Sequence, residues 1–92
     1  MSEDRTTREK RLKIRSWRRG TREMDMLLGP YCDARIATLD DATLDTYEAM
    51  LAENDQDLYQ WVSGQVPAPE PFRALLDEVR AFAVAGNTIR DQ

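Results

Sequence analysis

The apolar residues of this chain recur at three and four, and no alternating strand pattern of useful length interrupts them. The strongest run is Phe72, Leu75, Leu76, Val79, Phe82 and Ala83. That spacing places all of them on one face of a helix with 3.6 residues per turn. Met24, Leu27, Leu28 and Tyr31 make a second stripe, and Leu44, Tyr47 and Leu51, with Met50 beside them, a third. A period of this kind, with too few residues for two cores, predicts one fold class. It is all-α, a compact single-domain bundle of about five helices, the fourth of them short.

Local signals set the expected boundaries. Thr6 or Thr7 can cap a first helix that runs to about Arg19. Its apolar content is thin: Leu12, Ile14 and Trp17 among basic residues, with Trp17 read as a packing anchor at the core's edge. Gly20 breaks the pattern, because glycine inside a helix costs roughly 1 kcal/mol against alanine. A second helix starts near residue 22, and Gly29-Pro30 predicts a kink, or an end and a restart, within it. Cys32 reads as a small buried hydrophobe. Asp40 is the expected N-cap of the third helix, with Leu39 and Leu44 as a hydrophobic staple. Asp45, Glu48 and Glu53 then fall on its outer side. Residues 54–57 end that helix and cap the fourth, 58–62, which buries Trp61 and closes at Gly64. The proline-rich stretch 66–71 reads as an extended connector, with Pro71 starting the last helix and Gly86-Asn87 closing it. The expected domain is the whole chain, 1–92, ordered over about 7–86 with frayed ends.

Composition narrows the function. At 41% hydrophobic and 33% charged, the chain suits a folded globule and has no apolar run long enough for a transmembrane helix. Its start lacks the apolar region of a secretory signal, and Glu3, Asp4 and Glu9 are unlike an organelle-import peptide. Cys32 is the only cysteine, so no intramolecular disulfide forms, which suits a reducing cytoplasm. Histidine, the commonest general base and metal ligand, is absent. The net charge of −4 hides an asymmetry: residues 1–23 carry nine Lys/Arg against four Asp/Glu, and the remainder four against thirteen. A basic first helix on an acidic body predicts a directed surface for an acidic protein face, a phosphate-bearing cofactor or a nucleic-acid backbone.

Familiar catalytic arrangements are missing. There is no glycine-rich phosphate loop, no Cys/His metal spacing and no Ser-His or Cys-His pair, so an enzyme is the least favoured class and no metal is expected. Asp40, Asp41, Asp45 and Glu48 read as a solvated helix face. The rival reading is a small basic-helix module that binds nucleic acid or regulates a partner, with Trp17 free to stack. The acidic body opposes it, because phosphate binding would rest on a single helix and fade with salt. The same helix has too small an apolar face for a membrane surface.

One stretch stands apart from the stripes, Arg18-Arg19-Gly20-Thr21-Arg22-Glu23. Glycine permits a positive φ and leaves no side chain in the way of an approaching surface. Three arginines offer planar donor forks, and Glu23 is an acceptor in a helical first turn. As chemistry this describes either a solvated corner or a docking point.

Arg19-Gly20-x-x-Glu23, followed by Met24-Asp25 and an apolar run, resembles the RGxxE signature of the succinate dehydrogenase flavinylation factors. Met26-Leu27-Leu28-Gly29-Pro30-Tyr31 and Asp57-Leu58-Tyr59-Gln60-Trp61 are similar to further landmarks of that family, in its order, and the likeness extends from about Arg8 to Phe82. Thr21 stands where the family favours methionine, and Trp17 where it favours a small or polar residue. The resemblance implies a five-helix assembly factor, not an enzyme, acting in the bacterial cytoplasm. It implies a partner, the flavoprotein subunit of succinate dehydrogenase and also that of fumarate reductase, to whose own histidine FAD becomes attached. It further implies that FAD is handled by the client and not bound stably here, with no nucleic acid and no membrane insertion. Arg19, Gly20 and Glu23 are then the expected client-binding residues, with Arg15, Arg18, Arg22 and Asp25 around them.

Overall fold

The computed structural model describes residues 3–86. Five helices follow one another: α1 (Arg5–Trp17), α2 (Arg22–Arg35), α3 (Asp41–Leu51), α4 (Asp55–Ser63) and α5 (Arg73–Ala85), with a 3-10 turn, Ile36–Thr38, after α2. No strand occurs among the described residues, and the all-α expectation holds. The bundle is elongated, 44 × 24 × 23 Å. The second helix is its axle, with α1 along one side and α5 on the other.

The three stripes form the core. Leu28, Tyr31, Cys32, Leu44, Tyr47, Met50, Leu58, Val62 and Val79 are wholly buried. Burial pushes the Cys32 thiol and the Tyr31 and Tyr47 hydroxyls upward in pKa. Tyr31 donates to Glu78, and its ring meets Phe82 edge-on at 5.8 Å. Asp40 caps α3 by accepting from the Thr43 N–H at 2.8 Å, as its sequence predicts. Asn54 caps α4 in the same way, and Gly64 ends α4 at φ +83°.

Several boundaries depart from expectation, each for a local reason. The N-cap of α1 is Asp4, which accepts from the Thr7 N–H at 2.7 Å, so the helix begins before Thr6. It ends at Trp17, two residues short of Arg19. The second helix does not stop at Pro30. A proline inside a helix costs about 3 kcal/mol, but Tyr31, Cys32 and Ile36 beyond it are almost fully buried, and that packing holds the helix through. Gly29 has a separate job: a methyl group there would overlap Cδ2 and Cε2 of the Trp17 indole, which lies against its backbone. Trp17 is thus the edge anchor that the sequence suggests. Helix α5 starts at Arg73 rather than Pro71, because residues 71–72 form a turn in which the Phe72 N–H donates to the Pro69 carbonyl. Trp61 is only half-buried, stacked on Phe72 at 6.2 Å. The expected loose tail after Gly86 and the first two residues lie outside the described residues.

The largest correction concerns α1. Its inward face is not Leu12, Ile14 and Trp17, since Ile14 is 56% exposed. The residues turned inward are Arg5, Arg8, Leu12 and Ser16, one helical turn apart. Ser16 is fully buried and donates to the Leu12 carbonyl, so the Tyr47 hydroxyl must be the donor in their 2.6 Å contact. The arginines reach across to α3, where Asp41 and Asp45 stay solvated as expected but join Glu48 in a seam of ion pairs. Arg5 pairs with Asp41 at 3.0 Å, Arg8 with Asp45 at 2.7 Å and Glu48 at 2.9 Å, and Arg11 with Glu48 at 2.9 Å.

Two expectations follow. Hydrogen bonds from Arg11, then Arg8, hold Glu48 below the usual carboxylate range, and Arg11 does the same to Glu3. A carboxyl with a depressed folded-state pKa adds stability that is fully present above its unfolded pKa and lost as pH falls through the folded value. The urea midpoint should therefore be flat from neutral pH to about 5 and decline below about 4.5, less steeply in Glu48→Gln. Gly29→Ala, despite an intrinsic helical gain of about 1 kcal/mol, should destabilise by about 1–3 kcal/mol through overpacking against Trp17. In a Trp17→Ala background, the same substitution should cost nothing by urea denaturation.

Candidate functional site

Between Trp17 and Arg22 the chain turns from α1 into α2 in four residues. Arg18 leaves the helix at φ −129°, ψ 59°, and Gly20 takes φ +109°. At that φ an L side chain is strained, whereas space is not limiting, because the nearest neighbour of an added Cβ would be Asp55 Oδ2 at 3.6 Å. Thr21 then caps α2, its Oγ1 accepting from the Met24 N–H at 3.2 Å. Backbone conformation, more than crowding, thus demands glycine here.

Arg19 is the bolt of this corner. Its side chain is only 9% exposed. Nε donates to Asp55 Oδ1 at 2.8 Å, Nη1 to the Leu51 carbonyl at 2.6 Å and Nη2 to the Glu53 carbonyl at 3.1 Å. Those carbonyls stand at the C-terminal end of α3, where unpaired acceptors and the negative end of the helix dipole favour a cation. Asp55 is the first residue of α4. One guanidinium therefore ties the corner to the α3–α4 joint, while its own backbone N–H donates to Asp25 Oδ1 at 2.7 Å.

The seven residues singled out in the sequence fall into groups. Arg19 and Asp25 turn inward and hold the corner's shape. Gly20, Arg18, Arg22 and Glu23 are exposed around it. Arg15 sits half-buried in the last turn of α1. Beside Glu23 lies an open groove of about 530 Å³ lined by Thr21, Glu23, Met24, Asp55, Gln56, Tyr59, Gln60 and Gln65. Asp55 and the α3 carbonyls are the members that sequence reasoning missed. The Asn54-Asp55 cap marks a helix start, but nothing local ties it to an arginine 36 residues earlier.

In chemical terms the corner displays exposed donors, one exposed carboxylate and a bare backbone. Among the described residues, no group of His, Cys, Asp and Glu is arranged to hold a metal ion. The phosphate-binding reading loses much of its basis, because Arg5, Arg8 and Arg11 are engaged by α3 and Glu3.

Comparison with known proteins places the stretch that holds this corner within a family. The family model described as the flavinator of succinate dehydrogenase matches residues 10–83, which include the whole corner. The chain belongs to this family. It is 38% identical over 65 residues to the succinate dehydrogenase assembly factor 2, mitochondrial, of Aspergillus terreus, covering 71% of this chain and 22% of that one. To the FAD assembly factor SdhE of Haemophilus ducreyi it is 37% identical over 65 residues, 70% of this chain and 79% of that one. The SdhE of Acetobacter pasteurianus is 38% identical over 63 residues, 68% and 58% of the two chains. The matched stretch spans less than a third of the fungal proteins of Aspergillus terreus and Mycosarcoma maydis, at 22% and 29% of their lengths. No solved structure matches the chain.

The Arg19-Gly20 pair has a geometric reading: Arg19 sets the corner that Gly20 exposes. Arg19→Lys should lose the fork that reaches three acceptors at once. We expect a loss of about 2–3 kcal/mol in urea denaturation, with helical content retained by circular dichroism.

Proposed function

We propose that this protein binds the flavoprotein subunit of succinate dehydrogenase and promotes covalent attachment of FAD to that subunit's own histidine. The observation that carries the reading is the family match across residues 10–83, with the Arg19-Gly20-x-x-Glu23 corner inside it. The corner's geometry supports it, since Gly20 is bare and exposed while Arg18, Arg22 and Glu23 surround it with hydrogen-bonding groups.

The work is conformational. Binding shifts the client's population toward one conformer only as far as this protein prefers that conformer over the others. The chain supplies shape and hydrogen bonds, and the client supplies the flavin and its histidine. FAD is accordingly not a resident cofactor in this reading. The related flavoprotein of fumarate reductase is a second client by the same logic. We place the encounter in the bacterial cytoplasm on the likeness to the bacterial FAD assembly factors.

Gly20→Arg separates folding from function. The variant bears backbone strain of about 1 kcal/mol, has room for its Cβ, and should remain soluble and helical. Its side chain stands where the client must approach, so in-gel flavin fluorescence of the denatured flavoprotein subunit should fall to near the level without the factor. Glu23→Ala removes one contact and adds no bulk, so it should reduce the signal less. Full covalent fluorescence with a folded Gly20→Arg would show that this corner is not the working surface.

A further inference from the structure

Four large apolar side chains are notably exposed among the described residues: Ile14, Trp17, Met26 and Val66. The first three share one seam. The Trp17 ring lies over Gly29 and its Nε1 donates to Asp33 at 3.2 Å, while Lys13 Nζ stands 3.9 Å from the same carboxylate. Residue 13 beside 33 and 17 beside 29 means that α1 and α2 run antiparallel. Ile14 precedes Trp17 by three residues and Met26 precedes Gly29 by three, so each lies on its helix's side of this seam. Lys10, one turn before Ile14, and Arg22, one turn before Met26, are exposed at its flanks. Lys10, Lys13 and Arg22 thus border the apolar strip together with two acids, Asp33 and, one turn before Met26, Glu23, an excess of cations on a chain whose net charge is −4.

The seam runs directly out of the Gly20 corner, because Trp17 ends α1 and Arg22 begins α2. The corner alone is a handful of residues. A stable interface needs about 800 Å² and roughly 20–30 residues on each partner, so the contact must extend beyond it. Tryptophan, methionine and arginine are enriched where protein interfaces form, and the seam displays all three.

We infer that the α1–α2 seam is a second part of the client interface, and that its occupant is a surface of the flavoprotein subunit carrying carboxylates around an apolar contact. This rests on the proposed function. The apolar strip supplies affinity, and the cations bias encounter toward an acidic partner and make association weaken with salt. Trp17 thereby gains a role beyond packing: half its ring seats on Gly29 and the rest is offered outward.

The test titrates purified flavoprotein subunit with the full chain and with Ile14→Asp, Met26→Asp, Gly20→Arg and, as a control on the exposed side of α5, Ala81→Asp. Ile14 and Met26 are exposed, so the variants should keep the wild-type circular dichroism. Lys13→Glu with Arg22→Glu serves in place of any that does not. We expect wild-type affinity from Ala81→Asp, a roughly ten-fold or greater rise in Kd from each seam variant, and weaker wild-type binding at high salt. Seam variants that bind like wild type while Gly20→Arg does not would overturn the seam and leave the corner standing. Absence of wild-type binding to the flavoprotein would overturn both. A wild-type dimer in sedimentation that the seam variants dissociate, or anionic-lipid vesicle binding that they abolish, with flavoprotein affinity unchanged, would assign the seam to another occupant and overturn the inference.

Discussion

The corner keeps its shape because one guanidinium, that of Arg19, is spent inside the protein. Helix α1 has little apolar surface with which to stay attached, and Leu12 is its one fully buried hydrophobe. A helix with so little buried apolar surface depends on polar contacts to fix its orientation. Arg19 supplies such contacts by joining the start of α2 to the end of α3 and the first turn of α4 through a carboxylate and two carbonyls. Hydrogen bonds from a charged donor in a nearly closed site are among the stronger polar contacts, and leaving one unmade is expensive. The exposed members of the corner are therefore displayed on a frame fixed by a residue that scarcely meets solvent.

The same economy governs the rest of the first helix. A surplus of nine Lys/Arg against four Asp/Glu in residues 1–23 looks like a surface awaiting an anionic partner. Most of its early half is answered by α3, through Asp41, Asp45 and Glu48. Such pairs are partly exposed and individually modest. Their joint effect is to set the register of α1 on α3, a task that a thin apolar stripe leaves undone. Of the five cations in residues 1–23 that neither α3 nor the Arg19 site engages, Lys10, Lys13, Arg18 and Arg22 lie toward the corner and the α1–α2 seam, where the proposed interface lies, and Arg15 sits in the last turn of α1.

What was legible in the sequence divides along physical lines. Stripes with a 3.6-residue period predict burial well, and Met24 through Tyr31, Leu44 through Leu51 and Leu75 through Val79 all face the core. Caps were readable at Asp40 and Gly64, whereas at α1 the sequence offered Thr6 or Thr7 and Asp4 serves. Proline did not end the helix at position 30, because propensity is local and the burial of Tyr31, Cys32 and Ile36 against other helices outweighs it. The inward face of α1 was illegible for a different reason. Arginine stems and a serine carry no apolar signal, and their partners lie 31 to 40 residues away. Long-range polar pairing is what a single sequence conceals, and it is what assembles the corner around Arg19.

Two glycines frame that corner and serve unlike purposes. Gly20 is required by its φ of +109°, with open space around it. Gly29 is helical and is required by space, because the Trp17 ring occupies the place of its side chain. One glycine lets the chain turn sharply, and the other lets the helix before the turn lie close against the helix after it. Together with Arg19 they leave the Arg18–Glu23 stretch little freedom to lose when a partner binds. Loop ordering is among the costs that separate buried area from affinity. A factor that acts by favouring one conformer of its client gains most when its own surface is already set, since free energy spent ordering itself is unavailable for the client. The fixed shape of this corner is thus the physical link between a fold held by a buried arginine and the proposed action on a client's conformation.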